Sequence, residues 1–563
     1  MRLSSLRIVA GASSLLFAAA AWQLGPHSVS QFAAQAQTSQ RTTEGPRSAQ
    51  VREVSASAPE AGSIPAPSVP AGTELYTAKR GEAIPAIAHH YLGKTSYLTS
   101  AELAEAIRHA NGDRSGNILK ANQQIVIPGI LPAPIVEKTI PVAKDFEVRA
   151  VYLTGVMAAS DHGIRIIKHW REVGGNAVVF DIKDSDGSVN IPFEHPLVGE
   201  HKVYLHDVPK FVHFLHQQNM HAIARIAIFR DERLVVAHPE LAVQSRRNKT
   251  AWRENGKLVW TDPSNPTVQD YDIALAKHVA QLGVDEIQFD YVRFPAEGDQ
   301  KDAQFVFQKD QPQVETASTG NSSDQSHEPC RDGRLRPSSE AKPSHHGKDQ
   351  ASGNSTAAAP KGGKTGCQAA NAPRGQQRSD VIAAFLKKAY GELHPTGVLL
   401  SLDVFGIMAW QRQVDLSHTG QDIVQMARFC DVLSPMIYPS HFFGMDNIAR
   451  PGDEPAHFIG ESMDRFELIT KGSGVVIRPW LQAFRWRTKT YSPEYIKIQV
   501  ETAKTKGGIG FLFWNAANDY SKPFTAMPEM KSENNKAGAK EPKYFRGDEL
   551  QATGMQATIT PSK

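Results

Sequence analysis

Over residues 147–525 the chain repeats one pattern eight times, a short apolar run followed by a longer stretch with helical spacing. The runs are VRAVYLT (148–154), AVVFDIK (177–183), HAIARIAIF (221–229), EIQFDYVRF (286–294), GVLLSLDVFG (397–406), DVLSPMIYP (431–439), VVIRPWLQAF (475–484) and GIGFLFWN (508–515). Apolar strands joined by crossover helices predict a parallel sheet covered on its outer face. Gly174-Gly175, Gly283, Gly472 and Gly507-Gly508 stand where a helix must stop before the next strand. Ser264, Ser379 and Ser492 stand where helices should begin. With a polar insertion set aside, eight units in about 300 residues predict a closed (β/α)8 TIM barrel of the α/β class rather than an open doubly wound sheet. No Gly-rich phosphate fingerprint follows the first strand, so nothing points to a dinucleotide.

Chemistry in such barrels sits at the C-terminal ends of the strands. Those ends carry Asp181, Lys183 and Asp184 on the second strand, Arg225 on the third, Asp290 and Arg293 on the fourth and Asp403 on the fifth. Tyr438 follows on the sixth, Trp480 and Gln482 on the seventh, and Trp514 and Asn515 on the eighth. Gln288 shares parity with Asp290, as Ser401 does with Asp403, so each pair points to one side of its strand. A carboxylate inside an apolar strand needs a partner, because an unpaired buried charge is costly. Asp181, Asp290 and Asp403 are either ion pairs with Lys183, Arg225 and Arg293 or parts of a site. Their shared position at the catalytic ends favours the site. The rings of Tyr438, Trp480 and Trp514 offer flat faces on which a sugar can stack.

The segment EIQFDYVRFP (286–295), with VVFDIKDSDG, SLDVFG, LSPMIYPSHF and RPWLQAF, resembles a bacterial family described as a putative glycosyl hydrolase domain. The resemblance covers nearly all of Val148 to Tyr520 apart from the insertion, and implies a barrel related to retaining glycosidases such as the α-amylase-like enzymes. It implies that Asp290 holds the nucleophile position. Asp403 holds the strand-five position where the relatives commonly have a glutamate acid/base, one carbon longer. On this reading Asp290 attacks or supports the anomeric carbon and Asp403 protonates the leaving oxygen. Arg225 keeps Asp290 ionised, and Asp181, Lys183 and Asp184 orient sugar hydroxyls. Arg293 falls beside the nucleophile or on the outer wall according to local twist. One rival reading is a glycan-binding or wall-scaffolding protein with a retired barrel. Another is a metal-dependent deacetylase or esterase, invited by Asp181, Asp184 and Asp186, although no HxxxH or HExxH spacing stands near a strand end. No metal and no cofactor is expected.

Residues 73–130 read as strand, helix, helix and strand, with Ile84, Ile87 and Ala88 on one apolar face and Leu103, Ile107 and Ala110 on another. Tyr76, Lys79-Arg80-Gly81-Glu82, Ile87-Ala88, Asn111 and the NQQIVIP run from Asn122 to Pro128 resemble a LysM module, with a longer inter-helix segment than is usual. The resemblance implies binding of N-acetylglucosamine-containing glycans such as peptidoglycan or chitin, through Arg80, Gly81, Glu82 and Asn111. Residues 1–36 combine Arg2 and Arg7 with the apolar stretch Ile8 to Trp22 and the small-x-small triplet Ala34-Gln35-Ala36. They read as a cleaved signal peptide or an inner-membrane anchor, which predicts an exported protein of the periplasm, cell envelope or exterior. Residues 37–72 read as a tether, 299–378 as a disordered insertion after the fourth strand, and 526–563 as a flexible tail. The 62 Lys and Arg nearly balance 59 Asp and Glu, which leaves no nucleic-acid footprint. The three cysteines, Cys330, Cys367 and Cys430, cannot make a disulfide framework. No protein partner is indicated; the expected partner is a polysaccharide or peptidoglycan.

Overall fold

The computed structural model describes residues 70–112, 118–309, 375–530 and 540–544. The segments read as export signal and tether therefore lie almost wholly outside it, as do Cys330 and Cys367.

Eight parallel strands close on themselves. In chain order they are Val148–Leu153, Ala177–Lys183, His221–Ala227, Glu286–Asp290, Leu399–Phe405, Val432–Ile437, Trp480–Gln482 and Gly510–Trp514. Each pairs with its neighbours in sequence, and the eighth returns to the first through Phe511↔Arg149 and Leu512↔Ala150. The seventh is broken after Val476–Ile477, because Pro479 lacks the N–H that a ladder needs. The second is buried at every position, as a strand with an inner and a covered outer face must be. Helices Asp161–Glu172, Val208–Gln217, Pro266–Ala280, Arg378–Leu393, Pro455–Thr470 and Pro493–Thr505 cover the outside. Gly283, at φ +89°, ends one of them in the left-handed region, where a side chain would strain the turn. Ser492 caps the last, accepting from Tyr495 N at 3.2 Å. Ser264 and Ser379 do not cap theirs: Asn265 takes the first start and Gln377 the second.

The insertion begins later than the polar composition predicts. Ala303–Gln304 pairs antiparallel with Gln244–Ser245, and Phe305 is fully buried against Phe294, 4.9 Å away between ring centres. The apolar run AQFVF (303–307) inside a polar stretch is the cause. The tail also departs from expectation. Ser521–Met530 is helical, and Tyr544 is 6% exposed.

Upstream, Thr73–Thr77 and Gln124–Pro128 form a two-stranded antiparallel sheet against helices Ile84–Tyr91 and Ser100–Ala110. Ile84, Ile87, Leu103, Ile107, Ile125 and Ile127 make its core. Ala110 is exposed and Ala104 is buried in its stead. Asn111 donates to Ile107 O and Val126 O and accepts from Val126 N at 2.9 Å, so its side chain stitches helix to strand instead of facing a ligand. Glu82 accepts from Tyr76 Oη and, at 2.7 Å, from Lys79 N, which fixes the turn that exposes Arg80 and Gly81.

The floor of the barrel is a charged network. Glu137, on the segment that leaves the small unit, bonds His213 Nδ1 at 2.9 Å and His216 Nδ1 at 2.6 Å. His216 Nε2 meets Asp285 at 3.0 Å, His221 Nε2 meets Glu286 at 3.1 Å, and Arg478 pairs with Glu286 at 2.8 Å. Tyr544 stacks on His216 and bonds His221 Nδ1 at 2.5 Å. Burial opposes a charged imidazolium at His216, but Asp285 and Glu137 outweigh it and raise its pKa to about 9. An unfolded histidine titrates near ~6.5, so this contribution to stability is complete below about pH 6.5 and lost as pH rises through about 9. Wild-type melting temperature should therefore fall across that window, and His216→Gln should flatten the fall; a level wild-type curve contradicts the network. Phe305→Ala should cost about 3–5 kcal/mol in denaturant unfolding. A loss below about 1 kcal/mol would return residues 299–308 to the insertion.

Candidate active site

The cavity at the C-terminal ends of the strands encloses about 690 Å³. At its base Arg225 reaches two neighbouring strands. Its Nη1 lies 2.5 Å from Asp181 Oδ1, and its Nη2 lies 2.6 Å from Asp290 Oδ2, with Nε at 3.2 Å from the same oxygen. The ladder register explains the reach: Asp181 pairs with Arg225, Arg225 with Gln288, and Asp290 stands two residues further along the same face. Tyr152 Oη donates to Asp181, and its ring stacks on Trp514 with centroids 4.1 Å apart. Burial pushes Asp181 up to about 7, against the pull of Arg225 and with Asp184 adding to the rise. Asp181 lies beneath the cavity rather than on its wall, so it positions Arg225 and Tyr152.

Asp403 stands beside Asp290 on the adjacent strand, one residue past the Phe289↔Leu402 pair, and is 1% exposed. Trp480 Nε1 donates to its Oδ1 at 2.6 Å. Burial first, and then the neighbouring Asp290 charge, push its pKa well above the ordinary carboxylate range despite Arg225 and Trp480. Burial thus favours the neutral form of Asp403, while Asp290 forms an ion pair with Arg225. The two carboxyl groups line one cavity in unlike surroundings. Tyr438 lines the wall beside them, and its hydroxyl stays protonated because burial and both aspartates raise its pKa. His441, also on the wall, is pushed down to about 4 by burial and the Arg487 charge, so it is neutral.

Directly after Asp290 the backbone reverses. Tyr291 sits at φ +56°, its N–H donates to Asp290 Oδ1 at 2.6 Å, and Arg293 N closes on Tyr291 O at 2.8 Å. A tyrosine in the left-handed region is strained, as residues at functional turns often are. The turn settles the position of Arg293, which lines the cavity instead of the outer wall.

Not every strand-end residue reaches the cavity. The ladder shifts register between Asp181 and Lys183, which turns Lys183 outward. There it pairs with Asp231 at 2.8 Å and with Asp272 on the covering helix at 2.9 Å, fully buried, so it clamps strand to helix and lies off the cavity wall. Asp184 is spent on Ser185 N at 2.5 Å and lies off the cavity wall. Gln482 donates to Phe484 O and accepts from Ser440 N, tying two loops together below the surface. Asn515 reaches the wall, but its side chain bonds Ala483 O, Asp519 O and Ala517 N, so it shapes the last loop. Trp480 and Trp514 do line the cavity, 5.7 Å apart and edge to face. The rim adds Arg230, Glu254, Glu297, Trp486 and Tyr491, which stand in loops without periodicity. Tyr152 ends the first strand and was open to the same strand-end logic as the others.

Among known proteins, the family described as "Putative glycosyl hydrolase domain" matches residues 150–520. No curated protein matches the chain. Similar solved structures include a hypothetical protein from Ruminiclostridium thermocellum, at 28% identity and TM-score 0.31, covering 45% of this chain and 97% of that one. The PgaB (BpsB) glycoside hydrolase domain from Bordetella bronchiseptica is similar at 12% identity and TM-score 0.41, covering 68% and 99%. The spore cortex-lytic enzyme SleL from Bacillus megaterium is similar at 11% identity and TM-score 0.35, covering 80% and 85%. The family match spans well over half of the sequence and reaches from within the first barrel strand past the eighth, and the chain belongs to this putative glycosyl hydrolase domain family.

Proposed function

We propose that the protein is an exported glycoside hydrolase that cleaves a polysaccharide through Asp290 and Asp403. The observation that carries the reading is the unlike setting of two neighbouring carboxyl groups: Asp290 is ion-paired to Arg225, and Asp403 is buried with the Trp480 indole as its partner. An oxocarbenium-like transition state needs one charged carboxylate and one carboxylic acid. Asp290 supplies the charge at the anomeric carbon, as nucleophile or as electrostatic support. Asp403 gives its proton to the leaving oxygen, and the Trp480 indole N–H steadies the carboxylate that remains. Trp514, flat against Tyr152, presents a face for a sugar ring. The shorter aspartate at strand five is compatible with the acid role because burial supplies the raised pKa. Export rests on residues 1–36 and glycan capture on the small N-terminal unit, where the exposed Arg80-Gly81 turn is the candidate contact. Peptidoglycan and chitin are the glycans to try with that unit.

Asp290→Asn should abolish release of reducing ends from polysaccharides while leaving the melting temperature within a few degrees of wild type. Asp403→Asn should slow cleavage of unactivated glycosides by roughly 10²–10⁴-fold, and an aryl glycoside with a good leaving group should recover most of it. Turnover should require the protonated acid, so wild-type rate falls as pH rises through the elevated Asp403 pKa and Asp403→Asn loses that limb. Full activity in Asp290→Asn refutes the assignment. Binding of glycans without any release points to a scaffolding protein instead.

A further inference from the structure

Arg293 is a cation without an anion. Its residue is 7% exposed, and its guanidinium lies 4.5 Å from the ring centres of both Trp260 and Phe405 and 5.7 Å from that of Tyr291. Nη1 donates to Phe294 O at 3.0 Å. Among the described residues no carboxylate comes within ion-pair distance of it. Three fully buried cations of the barrel differ: Arg225 faces Asp181 and Asp290, Lys183 faces Asp231 and Asp272, and Arg478 faces Glu286.

Desolvating an ion is costly, and cation–π contacts return only part of that cost. Burial accordingly depresses the Arg293 pKa, with Glu254 opposing only in part. The two rim glutamates are engaged elsewhere. Glu254 accepts from Trp260 Nε1 at 2.5 Å and from Glu297 N at 3.1 Å, while Glu297 accepts from Asn255 Nδ2 at 2.7 Å. Burial and the neighbouring Glu254 raise the pKa of Glu297, which weakens it further as a counter-ion. Arg230 stands on the same wall, held by Tyr291 Oη at 3.0 Å, and it too meets no carboxylate among the described residues. Two guanidinium groups thus border the cavity beside Asp290, gathered on Tyr291.

We propose that Arg293 and Arg230 form an anion-binding subsite, so that the polysaccharide carries a carboxylate on the sugar at or next to the cleaved bond. The inference rests on the glycosidase reading and deepens it. A planar carboxylate matches the fork of a guanidinium and supplies the charge that the fold leaves out. A neutral glycan would seal Arg293 away from water with only its ring contacts and the Phe294 carbonyl to offset the charge. Two sources present this chemistry: a uronic acid within the chain, or an ether-linked carboxylate such as that of peptidoglycan strands stripped of peptide.

The test uses the full-length protein with a polyuronate and with stripped peptidoglycan strands, each before and after chemical reduction of its carboxyl groups to alcohols. The native form of one of them should be cleaved at least ~10-fold faster in kcat/KM than its reduced form, a difference of about 1.4 kcal/mol in transition-state binding. Arg293→Met should bring that ratio to about one, Arg293→Lys should keep part of it, and Arg230→Gln should shrink it. The polymer that shows the ratio identifies the source. Equal cleavage of native and reduced polymers by wild type, or an undiminished ratio in Arg293→Met, overturns the proposal. If nothing is cleaved, the glycosidase reading fails, and calorimetric binding of the same polymers to Asp290→Asn decides the subsite separately. Tighter binding of a native form supports it; equal binding, or none, overturns it.

Discussion

A guanidinium enclosed by eight strands cannot be hydrated, and Arg225 is 2% exposed. It is tolerated because carboxylates from the strands on either side converge on it. That requirement fixes much else. The second, third and fourth strands must keep the register that brings Asp181, Arg225 and Asp290 together, since a slip of one residue would turn all three to the other face. With Asp290 neutralised by Arg225, a second negative charge nearby would have no partner. Burial and the Asp290 charge accordingly raise the Asp403 pKa, and its carboxyl takes the Trp480 indole N–H. The unlike settings follow from counting: the one guanidinium at the base is shared by Asp181 and Asp290, and among the described residues Asp403 pairs with no cation.

The strands were the most legible part of the sequence. The run AVVFDIK matches its strand end to end, and the other seven strands fall within their predicted runs. An apolar run in a parallel sheet is long, uninterrupted and bounded by glycine, so little competes with it. The base of the site was legible for the same reason, because Asp181, Arg225, Asp290 and Asp403 are polar exceptions in apolar strands. Lys183 misled because a register shift two residues after Asp181 breaks the period-two rule that places side chains. Asn111 and Gln482 misled because an amide serves a backbone as readily as a ligand. The rim was hidden: Glu254, Glu297 and Trp486 come together only through loops whose courses have no period to read.

The small N-terminal unit does not hang free of the barrel. Lys210 Nζ donates to Leu92 O at 2.9 Å and Tyr97 O at 3.4 Å, and Thr99 bonds Asp161. Asp161 and Lys210 belong to the first turns of the helices that follow the first and second strands. In a βα unit those turns lie at the end where the strand finishes, which is also the cavity end. The exposed turn at Arg80-Gly81 and the Asp290–Asp403 base thus belong to one docked body rather than to two bodies on a string.

The charged floor bears on where this domain begins. Glu137 and Thr139 precede the first strand, yet one completes the His213 and His216 bonds and the other donates to Ala280 O and Val284 O. Tyr544 closes the same floor from the far end of the chain. The polypeptide crosses its own underside twice and is buckled there by buried ionic groups. A fragment cut at Glu147 and at Tyr520 would hold every residue that lines the cavity and still open Asp285, Glu286 and His216 to water. The smallest autonomous piece is set by that buckle, about ten residues upstream of the first strand and some thirty beyond the last.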